Sequence, residues 1–97
     1  MNIYAEAATH LAALYTKSFG GKANGRYRMS AKQMKELLGR KRLYADDVAL
    51  LTRAALEEGM VLIDMDSFFV VMAANSFVNY RRLSGDMLSE ISMPRDT

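Results

Sequence analysis

The sequence has 97 residues, 51% of them hydrophobic, with 13 Lys and Arg against 11 Asp and Glu, a formal net charge of +2. That size suits one globular domain spanning residues 1–97, with a core of its own and no room for a second. The absence of cysteine excludes a disulfide framework and thiolate metal sites, and is compatible with a reducing cytoplasm. The N-terminal stretch MNIYAEAATHLAALY lacks the basic start and continuous apolar run of a secretory signal, and no apolar run is long enough to span a bilayer. A cytoplasmic protein without a membrane partner is expected.

Along residues 3–18, Ile3, Tyr4, Ala7, Ala8, Leu11, Leu14 and Tyr15 recur three and four apart, the spacing of an amphipathic helix that Gly20-Gly21 ends. His10, the only histidine, has no cysteine or carboxylate pattern around it and reads as a helix-surface residue. Residues 22–25 form a loop by composition, and Arg26-Tyr-Arg-Met alternates as a short strand does. Ser30 with Gln33 three residues later is a capping box, so a second helix starts near Ala31, repeats Ala31, Met34, Leu37 and Leu38 at helical spacing, and stops at Gly39. Arg40, Lys41 and Arg42 form a basic turn. A third helix, 45–58, carries Asp46 and Asp47 against its positive N-terminal dipole, with Val48, Leu51, Ala55 and Leu56 as its buried stripe and Gly59 as its stop. Two short helices joined by so few residues cross steeply, as in a helix-turn-helix.

After Gly59, MVLIDMD and SFFVVMA flank a tight turn at Asp66-Ser67, which predicts a hairpin of about six residues per strand. The second run has no polar alternation, so it is either central and covered on both sides or part of a partner surface. Asn75 or Ser76 can cap a last helix carrying Phe77, Tyr80 and Leu83 and ending at Gly85, with one further helical turn in 86–93 and a flexible tail at about 92–97. The apolar surplus in residues 68–72 and at Phe77, Met87, Leu88 and Ile91 exceeds one small core and leads us to expect a homodimer.

Charge is distributed unevenly. Residues 17–42 hold nine basic side chains against Glu36 alone, a local net of +8, whereas residues 43–66 hold six acids against Arg53, a local net of −5. Such polarity along the chain implies one positive face.

The order of helix, short strand, helix, basic turn, helix, hairpin and helix resembles the winged helix-turn-helix domain. The resemblance covers roughly residues 3–83 and rests on that order and on the capped 30–59 unit. It implies a small α+β domain of three to four helices with a short strand and a β-hairpin, acting as a regulatory protein that binds duplex DNA. The second helix of the motif would lie in the major groove and the hairpin wing against the backbone. Carried onto this chain, the groove helix is 45–58, whose outward face is expected to show Asp46, Asp47, Leu50, Arg53, Ala54, Glu57 and Glu58. Four carboxylates and one arginine depart from the Arg, Lys, Asn or Gln that meet base edges. The wing turn, with Asp64 and Asp66, is acidic too. Contact with duplex DNA is therefore expected from Lys32, Lys35, Arg40, Lys41 and Arg42, with Arg26 and Arg28 in support and Arg53 as the one base-reading candidate. The alternative is a protein-interaction module on the same scaffold, using Asp46, Asp47, Leu50 and Glu57 with the apolar hairpin surface and the adaptable methionines. No glycine-rich phosphate loop, nucleophile beside a base or clustered metal ligands suggest an enzyme, and no cofactor or metal is expected.

Overall fold

In the computed structural model, which describes residues 2–91, helix α1 spans Ile3–Tyr15, β1 Tyr27–Met29, α2 Ala31–Leu38, α3 Ala45–Glu57, β2 Met60–Asp64, β3 Phe69–Ala73 and α4 Gly85–Ile91. The expected tail at about 92–97 lies outside the described residues. The strands form one antiparallel sheet in the order β1-β3-β2, and the whole is a small winged-helix-like α+β domain.

Local chemistry sets the ends of these elements. The Asn2 side chain accepts from the Ala5 N–H at 2.8 Å and starts α1. The capping box at α2 is formed in both directions: the Ser30 hydroxyl accepts from the Gln33 N–H at 3.1 Å, and the Gln33 side chain accepts from the Ser30 N–H at 2.9 Å. Gly39 ends that helix in the left-handed region, at φ 68°. Helix α1 stops at Tyr15, short of the expected Ser18. Gly20-Gly21 is therefore not its terminator. These two glycines, at φ 61° and 82°, form a two-residue turn closed by hydrogen bonds between Phe19 and Lys22 (3.0 and 3.1 Å), a geometry glycine adopts at little cost.

The core lies between the helices and one face of the sheet. Ala7, Ala8 and Leu11 of α1 meet Leu51 and Ala55 of α3, Met34 and Leu38 close one side from α2, and Met29, Met60, Leu62, Phe69 and Val71 supply the sheet face. Leu11, Met34, Leu51 and Val71 are its largest fully enclosed side chains. Three methionines are thus core residues rather than adaptable surface.

Three expectations change. Strand β3 is central, but packed against the core on one face only: Phe69 and Val71 are buried, whereas Val70 and Met72 on the opposite face are only partly buried and stand outside the core cluster. Leu56 is 53% exposed instead of buried, because the inward stripe of α3 runs through Asp47, Leu51 and Ala55. The segment after β3 holds only a single 3-10 turn, Ala74–Phe77; the chain then runs irregularly, and Gly85 begins α4 where the sequence was expected to end a helix. The cap of α4 is Ser84, whose hydroxyl accepts from the Met87 N–H at 3.1 Å.

Candidate nucleic-acid interface

The basic segment is divided among three places. The first is built by the loop between α1 and β1. The Gly20-Gly21 turn folds the loop back, and the Gly25 N–H donates to the Tyr15 carbonyl at 2.9 Å to close it. This arrangement gathers Lys17, Lys22, Arg26 and Arg28 around a cleft of about 500 Å³ lined also by Phe19, Asn24 and Tyr27, with no carboxylate in its wall. Phe19 and Tyr27 meet edge to face at 5.4 Å, and the Tyr27 hydroxyl donates to the Leu11 carbonyl at 2.7 Å, which anchors the cleft floor to α1. Burial pushes the Tyr27 hydroxyl well above the ordinary tyrosine range, so it stays neutral. Arg28 leans over the Phe68 ring, its Cζ 5.5 Å from the centroid, which orders the guanidinium without neutralising it.

The second group flanks α2 and its following turn. Lys32, Lys41 and Arg42 are exposed and Lys35 is half-buried. Gln33, Glu36 and Leu37 border a neighbouring cleft with Tyr27 and Arg28, whereas Lys35 lies about 160° around the helix from Leu37. The loop cations and Lys35 are therefore on different sides of α2, with Glu36 next to the loop side. The +8 segment does not converge into one patch.

The third place holds Arg40 alone, and it removes that residue from the expected set. Arg40 Nε lies 3.3 Å from Asp47 Oδ1, and its Nη2 donates to the Tyr4 hydroxyl at 3.4 Å. The Tyr4 hydroxyl in turn donates to Asp47 Oδ1 at 2.7 Å, and the Tyr44 N–H donates to Oδ2 at 3.0 Å. Asp47 is only 4% exposed, so it does not face outward from α3 as the sequence suggested. Hydrogen bonds from Tyr4 and the Tyr44 backbone, aided by the Arg40 charge, hold its carboxyl below the usual carboxylate range against the opposing effect of burial. The same Asp47 contact raises the Tyr4 hydroxyl above its ordinary value. These three side chains fasten the basic turn and the start of α3 to α1. Among the described residues this is the sole ion pair, so the other eight cations of the segment have no carboxylate partner there.

On α3, Asp46, Leu50, Arg53 and Glu57 are exposed as expected, and Ala54 is half-buried against the core rather than outward. Arg53 borders a shallow cleft with Ala49, Thr52, Leu56 and Glu57. The face is thus less acidic and more apolar than the sequence implied, with Leu50 and Leu56 on either side of Arg53.

Lys17 and Lys22 lie in the basic segment but outside the contact set that the sequence suggests, and the structure sets them beside Arg26 and Arg28. The signal that points to them is the pair Gly20-Gly21 between Phe19 and Lys22, a two-residue turn that brings the flanking cations together. No family model, curated protein or solved structure matches the chain. No helix among the described residues is long and apolar enough to cross a membrane.

Proposed function

We propose that the chain binds duplex DNA through its backbone phosphates, with Lys17, Lys22, Arg26 and Arg28 as the principal contacts and Lys32, Lys35, Lys41 and Arg42 as a second, flanking set. The observation that carries this is the loop cleft: four cations in one wall without a carboxylate, which a polyanion neutralises at little rearrangement. The outward face of α3 offers Asp46 and Glu57, with Glu58 just past its end, beside a single Arg53, so backbone contact dominates and base reading is confined to Arg53. Anisotropy of a labelled duplex at about 50 mM salt tests the proposal. Binding in the micromolar range that weakens on Lys22→Ala with Arg26→Ala is expected; no binding at tens of micromolar protein refutes it.

A second use of the scaffold is favoured by one specific observation. Leu50 (48% exposed) and Leu56 (53%) present apolar surface on the helix that would otherwise enter a groove. A protein partner seated there is lost on Leu50→Asp, while duplex binding by the loop cleft persists.

A further inference from the structure

Two apolar surfaces of this chain take no part in its core. One is the outer face of the sheet. Cross-strand pairing aligns Arg28, Val70 and Ile63 in one row and Val61 with Met72 in the next, and the four apolar side chains are partly buried and outside the core cluster. The other is the C-terminal arm. Residues 78–91 are exposed throughout, and Val78, Tyr80, Leu83, Met87 and Ile91 are each 50–69% exposed. The arm leaves the domain at a defined point, where Phe77 and Tyr80 stack edge to face at 5.1 Å. Met87 and Ile91, four residues apart, share one face of α4.

We propose that the arm of one copy packs across the outer sheet face of a second copy, reciprocally, to form a twofold homodimer. The overall dimensions fit an arm that reaches away from its own domain: the radius of gyration is 17.0 Å and the longest extent 49 Å, against 32 and 26 Å in the other directions. A compact chain of this length has a radius of about 12.5 Å. A second copy is the occupant because the chain carries both halves of the contact, and the charges match in the same sense. The arm bears Arg81 and Arg82 and, in α4, Asp86 and Glu90, while the receiving side bears exposed Asp64 and Asp66 at the hairpin tip and Arg28 in the sheet row, so each side offers both signs to the other. At about 60–120 Å² per fully buried apolar side chain, five arm residues that are 50–69% exposed cover about 200–350 Å². With a like area of the partner, two reciprocal arms remove about 800–1,400 Å², which reaches the lower end of stable interfaces. The dimer does not require nucleic acid, although Arg28 borders both the sheet face and the loop cleft.

The absence of cysteine makes the test direct. Sedimentation of the full chain at tens of micromolar, without DNA, is expected to return about twice the 10.9 kDa chain mass. Val78→Asp with Leu83→Asp, both at exposed arm positions, is expected to return the monomer mass with an unchanged far-ultraviolet spectrum. Mixing chains carrying Leu83→Cys with chains carrying Ile63→Cys is expected to give a covalent heterodimer on oxidation. A monomer mass for the unmodified chain overturns the proposal. So does a dimer that survives the arm substitutions, which places the contact elsewhere. A chain carrying both cysteines that closes only within itself overturns it as well, because the arm then covers its own sheet.

Discussion

The salt dependence of duplex binding separates the cations that the sequence groups together. If Lys17, Lys22, Arg26 and Arg28 each neutralise one phosphate, the loop cleft contributes about −3.6 to the log-log slope of affinity against salt, at about −0.9 per contact, and the flanking set adds to it. Raising salt from about 50 to 200 mM then weakens binding by about 150-fold through the cleft contacts alone. Lys22→Ala with Arg26→Ala removes two contacts and makes the slope shallower by about 1.8, so the same change in salt weakens the variant about 12-fold less than the parent. All duplex sequences lose affinity alike, since phosphate contacts position without specifying.

Arg40 provides the control. Its guanidinium is held by Asp47 at 3.3 Å and by Tyr4, so Arg40→Ala is expected to leave the slope unchanged and to lower the urea midpoint instead. Anisotropy titrations at four or five salt concentrations measure the first quantity and circular dichroism the second. A slope that falls by about one unit on Arg40→Ala, or that ignores the Lys22 and Arg26 substitutions while responding to Lys41→Ala and Arg42→Ala, refutes the assignment of contacts to the loop cleft.

The two faces of β3 predict opposite outcomes for adjacent residues. Phe69→Asp places an unpaired charge in the core and is expected to abolish the cooperative melt. Val70→Asp faces outward, opposite Arg28, and is expected to keep the native spectrum while weakening the dimer. Ser30→Ala removes one half of the capping box and is expected to cost about 1 kcal/mol in urea denaturation, with an unchanged m-value. The Tyr4–Asp47–Arg40 group sets a pH window. The Asp47 carboxyl is lowered in the fold, so its contribution is present above the unfolded value of about 3.9 and is lost as pH falls through the lower folded value. Tyr4 is raised, so its contribution is present below about 10 and is lost as pH climbs through the higher folded value. Urea midpoints are expected to decline beyond both limits, and Asp47→Asn is expected to flatten the acid side.

Elements whose ends depend on neighbours in sequence were legible before the structure. Ser30 with Gln33, Gly39 and the two β-rich runs around the Asp66-Ser67 turn act within a few residues, and α2, β2 and β3 follow them closely. The errors occur where a partner is distant in sequence. Helical spacing places Asp47 near the border of the inward stripe of α3, and only Tyr4, 43 residues away, together with Arg40, makes an inward carboxylate tolerable. With Asp47 turned inward, the stripe shifts and Leu56 turns outward. The C-terminal helix failed for a different reason: Asn75 and Ser76 look like caps, but the 3-10 turn Ala74–Phe77 packs no buried residue and has nothing to extend it.

The same distinction explains the candidate site. A run of nine cations reads as one surface because sequence distance is the only distance available, yet their side chains sort by the element that carries each. The tight Gly20-Gly21 turn pulls four of them together, helix α2 turns Lys35 away, and Asp47 draws Arg40 into the structural frame. Charge density along a chain therefore estimates the strength of an electrostatic field better than the position of a contact. In this molecule the basic side chains crowd the loop and the turn, whereas α3 exposes leucines and carboxylates. Phosphate binding from the loop side and a separate apolar role for α3 are compatible on one small domain, because the surfaces that carry them use different residues.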